Sequence, residues 1–276
     1  MKSNSELGTF IRKTAISKAM LYIAYPLFVF LTGLSIFIYF ILIRSINDGS
    51  INFSEDISVL YYSIAFLMTL AILLLVLAIY ISRGPIFYIY ENAIIIKNKD
   101  TKKTLFIKDI QDVYLFTSGK NILGINNIAF RTNNTEDWYP ISARYSAIYI
   151  VIKFLRSRHA ELYTPLVLKK LEEGHAVNFT YVDFSNLVMK QFAALNTKSY
   201  LNIKTKTMQL YKDKLVVESE TIYFADLLSF SVSDWTNQIQ LTNRANKIVF
   251  KKAFTSVFSG HSFVALLDEL VNKNKI

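Results

Sequence analysis

Three histidines are the first residues of this chain that could bind a metal or transfer a proton. His159, His175 and His261 are far apart and form neither an HExxH motif nor a His-x-His pair. The 276 residues include no cysteine, which removes thiolate zinc sites, disulfides and cysteine nucleophiles. We therefore expect no metal site. His159 lies on the apolar face of a predicted helix, and we interpret it as a core or interface residue.

A glycine-spaced segment and two aspartates are the other candidates for chemistry. Gly119 to Gly124 has the spacing of a phosphate-binding P-loop, but Ile125 and Asn126 stand where the motif has lysine and serine or threonine. We interpret this segment as an ordinary loop. Asp109 and Asp226 precede equivalent predicted strands, where a short acceptor side chain typically caps a turn. We expect no catalytic residue, no cofactor and no enzymatic activity.

Basic residues give the strongest functional hint. The chain has 31 Lys and Arg against 21 Asp and Glu, a net charge of +10. Anionic lipid headgroups attract such residues, by about 1 kcal/mol each near a membrane surface. A solvated lysine-rich turn is the alternative, and no nucleic-acid-binding module accompanies the charge. The candidate lipid or partner contacts are Arg12, Lys13, Lys18, Arg83, Lys97, Lys99, Lys102 and Lys103.

Two uncharged segments hold much of the apolar content, which is 52% of the chain. Residues 21–43 and 57–82 contain no charged side chain. At about 1.5 Å per residue, each can cross a hydrocarbon core of about 30 Å. Core helices of a soluble protein are the alternative, but these seldom run past about 18 residues without a polar face. Without intramembrane ionisable residues, the pair is interpreted as an anchor rather than an ion path.

The charges beside these segments predict their orientation. Residues 1–20 carry four basic residues and one acidic residue, whereas residues 44–56 carry one basic residue and three acidic residues. Residues 83–276 carry 26 basic and 17 acidic residues. Because Lys and Arg favour the cytoplasmic side, we expect both termini in the cytoplasm, with the protein in the bacterial inner membrane.

After Gly84 and Pro85, the apolar period changes to that of short strands. Strands are predicted over 86–90, 93–97, 104–107, 113–116, 122–131 and 137–141, with a polar turn over 97–103. From Ser142 the apolar residues recur at helical spacing. Pro165 is expected to kink or split this helix, and Gly174 to end it.

The strand pattern then repeats. Residues 90–96 align with 211–217, and residues 106–113 align with 223–230. The second copy continues with strands at 238–241 and 247–250, followed by a helix over 262–271. The apolar face of that helix holds Phe263, Leu266, Leu267 and Leu270. Two units of one fold explain the chain better than coincidental patterning.

The Tyr90-Glu91-Asn92 hairpin and the step Ile107-Lys108-Asp109-Ile110 resemble those of bacterial membrane-linked pleckstrin-homology-like (PH-like) domains. Residues 86–272 are similar to an uncharacterised bacterial family with two such units in tandem, joined by a segment that matches 161–174 and 177–179. The resemblance implies two antiparallel β units, each closed by a C-terminal helix, and implies no chemistry. One departure is the connection 183–207, which is longer and has a helical pattern over 186–195.

We therefore expect an α+β membrane protein in three parts: an N-terminal segment and transmembrane hairpin (1–83), a first PH-like domain with a helical connector (84–174) and a second PH-like domain (175–276). The expected function is non-enzymatic, with the tandem domains presented to a protein partner or to anionic lipid headgroups. Two alternatives stay open: an immunity protein that neutralises a membrane-acting toxin, and a subunit of an oligomeric channel or transport assembly. The oligomeric state is left open.

Overall fold

The computed structural model describes residues 4–52, 54, 56–117, 125–182, 201–233 and 237–273. These residues form a mixed α and β structure with two compact units. Residues 15–85 form a helical unit, and residues 1–14 with 86–276 form a β-rich unit. The P-loop-like segment 119–124 and the predicted helix 186–195 lie outside the described residues.

The helical unit contains the two predicted apolar helices. Helix α2 (Ala19–Phe37) continues through a π-helical stretch (Ile38–Ile43) into α3 (Arg44–Asn47), and α4 covers Ser58–Ile81. Both long helices are apolar enough to cross a membrane. Only 17% and 11% of the residues in their most apolar 18-residue stretches are buried. That exposure differs from the core helix of a soluble protein, which would be mostly buried.

Small side chains let α2 and α4 pack closely. Ala71 and Ala78 of α4 are buried and lie seven residues apart, which is the spacing of a helix-packing seam. On α2 the buried residues are Ala24, Leu31 and Ser35. The Ser35 hydroxyl donates to the Leu31 carbonyl at 2.9 Å, so it brings no unpaired polar group into the seam.

The described residues of the β-rich unit begin with a module of seven strands and two helices. Its sheets have the orders β1-β2-β3-β4 and β5-β6-β7. The elements are α1 (Asn4–Leu7), β1 (Phe10–Thr14), β2 (Ile86–Tyr90), β3 (Ala93–Asn98), β4 (Thr101–Phe106), β5 (Asp112–Phe116), β6 (Asn127–Arg131), β7 (Tyr139–Ile141) and α5 (Ile148–Glu172).

A second module follows, with seven strands and one long helix among its described residues. Its sheets have the orders β11-β10-β9-β8 and β12-β13-β14. The elements are β8 (Val177–Val182), β9 (Thr205–Leu210), β10 (Lys214–Val217), β11 (Glu220–Tyr223), β12 (Leu227–Ser233), β13 (Gln238–Asn243), β14 (Ile248–Ala253) and α6 (Gly260–Lys273). The described strand pairs are antiparallel, as the strand pattern predicted.

The two modules have matching turns at positions that the sequence alignment paired. Residues Ile107–Asp109 and Phe224–Asp226 form equivalent 3-10 turns between the two sheets of each module. In each module, a backbone N–H at the start of this turn donates at 2.9 Å to the carbonyl of a preceding hairpin residue, Asn92 or Asp213. Each module therefore has the order of four strands, 3-10 turn, three strands and helix.

Strand β1 was not predicted, and it changes the order of the fold. It pairs antiparallel with β2, with Lys13 opposite Tyr88 and Thr14 opposite Phe87. Thr14 is fully buried, and its hydroxyl donates to the Ser146 carbonyl at 2.6 Å. Residues 1–14 therefore fold with the first module, and the helical unit is an insertion between β1 and β2.

The approach of the N-terminal segment to the β2–β3 turn requires glycine at position 8. Gly8 has φ +75°, and a Cβ atom there would lie 2.8 Å from Cβ of Glu91. The backbone N–H groups of Glu91 and Asn92 donate to the carbonyls of Thr9 and Leu7. These contacts hold α1 and the residues before β1 against the β2–β3 turn.

Helix α5 is shared by both modules and passes through Pro165 without dividing. Val151 and Leu155 are buried near its start, and α5 contacts the Ile107–Asp109 turn and β6 of the first module. Val167 and Leu171, near its end, belong to the core of the second module. Of the kink or split predicted at Pro165, the split does not occur, because burial of both halves outweighs one missing backbone hydrogen bond.

Several element boundaries also differ from prediction. The helix predicted from Ser142 begins only at Ile148, because Ala147 adopts a left-handed conformation with φ +53°. The polar turn predicted over 97–103 is only two residues long, since β3 extends to Asn98 and β4 begins at Thr101. Gly174 has φ +83° and follows the end of α5 as predicted.

The two modules are joined by backbone contacts as well as by α5. The N–H of Ser259 donates to the Val113 carbonyl at 2.7 Å, and the Val113 N–H donates to the Ser259 hydroxyl oxygen at 3.0 Å. Phe258 packs against Tyr114 and Trp138 of the first module. The edge of β5 is thereby closed by the loop before α6.

Candidate functional site

The candidate site is the basic hairpin, defined as Lys97, Lys99, Lys102 and Lys103 of β3, β4 and their turn. Lys97 and Lys102 lie directly opposite each other in the antiparallel register. Lys99 occupies the turn with φ +45°. All four residues are exposed. Like charges directly opposite across a pair of strands are unfavourable, which points to a role for the pair other than stability.

Lys103 differs from the other three lysines because it already has partners. Its ammonium group donates to the Tyr139 hydroxyl at 2.8 Å and lies 3.4 Å from the Glu136 carboxylate. The hydrogen bond with Tyr139 is the main cause that raises the pKa of Lys103. Glu136 is itself held by the Thr132 hydroxyl at 2.6 Å. Lys103 therefore ties β4 to β7, which leaves Lys97, Lys99 and Lys102 as the cations available to a ligand.

The structure brings the predicted contacts Arg12 and Lys13 onto the same sheet as the basic hairpin. They lie in β1, and Lys13 is 5.8 Å above the ring of Tyr88. In the described part of the chain, neither residue forms an ion pair. Lys18 and Arg83 belong to the helical unit, so six of the eight predicted contacts share one sheet.

The order of the strands places the basic hairpin at a defined end of the sheet. β1 ends at Thr14 and β2 begins at Ile86, and both of these residues lie at the end where the β3–β4 turn lies. The two connections to the helical unit, residues 15–18 and 82–85, leave from this same end. Both connections to the helical unit therefore begin at the end of the sheet that holds the β3–β4 turn.

The equivalent hairpin of the second module has the opposite charge. The turn between β10 and β11 contains Glu218, Ser219 and Glu220 in place of lysines. The Glu218 carboxylate accepts hydrogen bonds from Lys206 at 2.7 Å and from the Tyr181 hydroxyl at 2.9 Å. The contact with Lys206 is the main cause that lowers the pKa of Glu218. Basic charge at this position is thus specific to the module that carries the apolar helices.

The apolar side chains on the outer face of the first sheet were not predicted from the sequence. Leu7, Ala93 and Ile95 form a small buried cluster there, packed by Tyr88, Tyr90 and Phe106. The equivalent face of the second module is more polar, with Asn178, Gln209, Val216 and Thr221 in one cross-strand row. An alternation of apolar and polar residues over 10–14 and 86–90 could have indicated this face. Every residue from Ile86 to Tyr90 is apolar, however, so the alternation is missing there.

A cleft of about 580 Å³ lies at the far end of this face. Its lining mixes carboxylate, ammonium, amide and apolar groups and contains Glu6, Asn92, Phe106, Lys108, Asp109 and Leu162.

Asp109 and Asp226 end their 3-10 turns as equivalent residues, in agreement with the turn interpretation. The side-chain caps expected of them are not formed within the described residues.

His159 lies in a buried, hydrogen-bonded position. His159 is 2% exposed, with Nε2 2.9 Å from the Ile110 carbonyl and Nδ1 3.2 Å from the Ser262 hydroxyl. Burial lowers its pKa to about 4, so the ring is neutral at ordinary pH. The interpretation of His159 as a core or interface residue is confirmed. Among the described residues, no group of three or more His, Asp or Glu side chains could hold a metal ion.

Comparison with known proteins adds no family to this description. The chain matches no family model, and no curated protein matches its sequence.

Proposed function

We propose that this protein is a non-enzymatic, membrane-anchored binding protein of the bacterial inner membrane. Helices α2 and α4 cross the bilayer as a hairpin with both termini in the cytoplasm. The two modules, interpreted as PH-like, form a cytoplasmic platform whose basic hairpin binds anionic lipid headgroups. The observation that carries the proposal is the opposed pair Lys97 and Lys102, placed at the sheet end from which both helix connections leave.

The length of the connections supports the lipid as ligand. Four residues separate β1 from α2, and four separate α4 from β2. Five extended Cα–Cα steps reach at most about 18 Å, so the end of the sheet cannot move farther than this from either helix end. Charges interact with a membrane surface within a Debye length of about 8 Å at physiological salt. The tether therefore keeps the end of the sheet that holds the basic hairpin within about 18 Å of the helix ends, which is roughly two Debye lengths.

The electrostatics of the hairpin support the same ligand. Lys97, Lys99 and Lys102 have no carboxylate partner among the described residues, and each gains about 1 kcal/mol near an anionic leaflet. An anionic headgroup between Lys97 and Lys102 would also remove the repulsion between them. The acidic turn at Glu218 would gain nothing from such a surface, which explains why only one module carries the lysines.

The test uses the absence of cysteine, because a single introduced cysteine can be labelled without background. Asp100→Cys places an environment-sensitive fluorophore in the turn of the basic hairpin, and Ser219→Cys places it in the equivalent acidic turn. Full-length protein is inserted into nanodiscs of phosphatidylcholine with or without phosphatidylglycerol, and a headgroup-linked quencher reports proximity.

Quenching at position 100 is expected to increase with phosphatidylglycerol and to fall with added salt or in the variant Lys97→Gln/Lys99→Gln/Lys102→Gln. Quenching at position 219 is expected to be independent of phosphatidylglycerol. Equal responses at the two positions, or a response at position 100 that survives the triple variant, would contradict lipid binding by the basic hairpin.

A further inference from the structure

Strand β1 is an edge of its sheet and carries two exposed apolar residues. Among the described strands it pairs with β2 alone, and the four residues from Phe10 to Lys13 are exposed. Phe10 is 51% exposed and Ile11 is 39% exposed. The register shifts between Phe10 and Arg12, so Ile11 is the extra residue of a bulge. An edge of this kind presents unpaired backbone groups to any extended chain.

Three other sheet edges differ from β1. The opposite edge of the same sheet, β4, exposes lysine and threonine rather than apolar residues. The equivalent strand of the second module, β8, buries Phe179 and Tyr181. The edge of β5 is closed by Ser259, which exchanges hydrogen bonds with Val113. β1 thus combines an open backbone with exposed apolar side chains.

The positive charge beside this edge limits which kind of chain can pair with β1. Arg12 and Lys13 follow the exposed apolar pair and form no ion pair within the described residues. Pairing β1 with β1 of a second copy would bring four like charges together, which is unfavourable. An extended segment with acidic residues opposite Arg12 and Lys13 would form ion pairs with them and backbone hydrogen bonds with β1.

We propose that β1 binds an extended, acidic segment of a partner protein, which adds as a fifth strand to the first sheet. Backbone hydrogen bonds along β1 supply affinity, and alternate side chains of the segment supply specificity. One apolar residue of the segment packs beside Phe10, and acidic residues lie beside Arg12 and Lys13. This site is separate from the lipid-binding role of the basic hairpin and does not depend on it.

The test selects a displayed random peptide library on the full-length protein in phosphatidylcholine nanodiscs. Selected peptides are expected to combine acidic and apolar residues. The variant Arg12→Glu/Lys13→Glu is expected to weaken them by about tenfold or more and to select basic peptides instead. The variant Lys212→Glu/Lys251→Glu, with the same change in net charge at exposed residues of the second module, is expected to leave binding unchanged.

If the peptide binds as a strand, every second backbone amide of the peptide forms a hydrogen bond with β1. N-methylation of every second peptide amide is expected to abolish binding, whereas methylation of the alternate set leaves it intact. The proposal would be overturned by no enrichment of acidic peptides, by binding that ignores the reversal at Arg12 and Lys13, or by methylation effects without a period of two. Dimers of the protein that compete with the peptides would assign the edge to a second copy and also overturn it.

Discussion

Nδ1 of His159 lies 3.2 Å from the hydroxyl oxygen of Ser262 across the boundary between the modules. His159 belongs to α5 and Ser262 to α6, so the closing helices of both modules meet at a buried polar contact. The stacked ring of Tyr163, 4.9 Å away, covers the other side of the imidazole. The tandem modules therefore share an interface whose polar groups must keep a single protonation state.

Acid is expected to destabilise this interface. Burial lowers the pKa values of His159 and His261 to about 4 in the folded chain, against an ordinary value of 6.5. Well above pH 6.5 both rings are neutral whether folded or unfolded, so pH has no effect through them. As pH falls from 6.5 towards 4, the unfolded chain binds protons that the folded chain cannot, and stability is lost.

Thermal unfolding of the detergent-solubilised protein between pH 7.5 and 4.5 measures this effect. We expect the midpoint to fall with pH, and we expect His159→Gln to reduce that slope. An unchanged slope in His159→Gln/His261→Gln would assign the acid sensitivity to other groups. Asp112 works in the opposite direction, because burial raises its pKa despite the ion pair with Arg131.

The ion pair between Arg131 and Asp112 is expected to matter far more than the exposed pair at Lys103. The Arg131 guanidinium lies 2.6 Å from a carboxylate that is 5% exposed, whereas both side chains of the Lys103–Glu136 pair are at least one third exposed. Arg131→Met would leave a buried charge without its partner, at a cost of about 3 kcal/mol.

Lys103→Met serves as the matched control and should cost less than about 1 kcal/mol. Urea unfolding of both variants provides the comparison. Equal losses of stability would show that burial of Asp112 does not set the strength of its pair.

Ser259 is expected to hold the two modules together. Its hydroxyl accepts from the Val113 N–H and donates to the Gln111 carbonyl at 2.8 Å, so it satisfies the edge of β5. Ser259→Ala would leave a buried N–H unpaired and should destabilise the β-rich unit by about 1–3 kcal/mol. Ser231→Ala, at an exposed position of β12, is the control. Hydrogen exchange should show faster exchange of the Val113 amide in Ser259→Ala alone.

Gly8 is expected to be necessary for docking of β1. Its φ of +75° and the 2.8 Å separation from Cβ of Glu91 leave no room for a side chain. Gly8→Ala should therefore release the N-terminal segment, at a cost of about 1–3 kcal/mol. Gly49→Ala, which has a similar φ and open space around it, should not affect β1. Faster hydrogen exchange in β1 for both variants, or for neither, would contradict this role.

The apolar helices and the repeat could be predicted from the sequence because each depends on local patterns. Residues 21–43 and 57–82 are uncharged throughout, and the hairpin pattern at 90–96 recurs at 211–217. Strand β1 could not be predicted in this way, because its partner β2 lies beyond the whole helical insertion. Its basic residues were interpreted only as a flank of the first apolar segment.

Tertiary packing also explains the remaining differences. The lysines at 97–103 suggested a long turn, but exposed strand positions at the end of a sheet accept lysine equally well. The basic hairpin was therefore found as a cluster, whereas the opposition of Lys97 and Lys102 required the register. Pro165 suggested a break in the helix that contains it, which instead persists because two separate cores bury its ends.

The central claim is the hairpin anchor with a cytoplasmic body, and labelling of single cysteines in intact bacterial cells tests it most directly. Ser50→Cys lies in the loop between the apolar helices, and Asp100→Cys lies in the basic hairpin. We predict that a membrane-impermeant maleimide labels position 50 in intact cells and labels position 100 only after permeabilisation. Labelling of position 100 in intact cells, or protection of position 50 in them, would contradict the proposed topology.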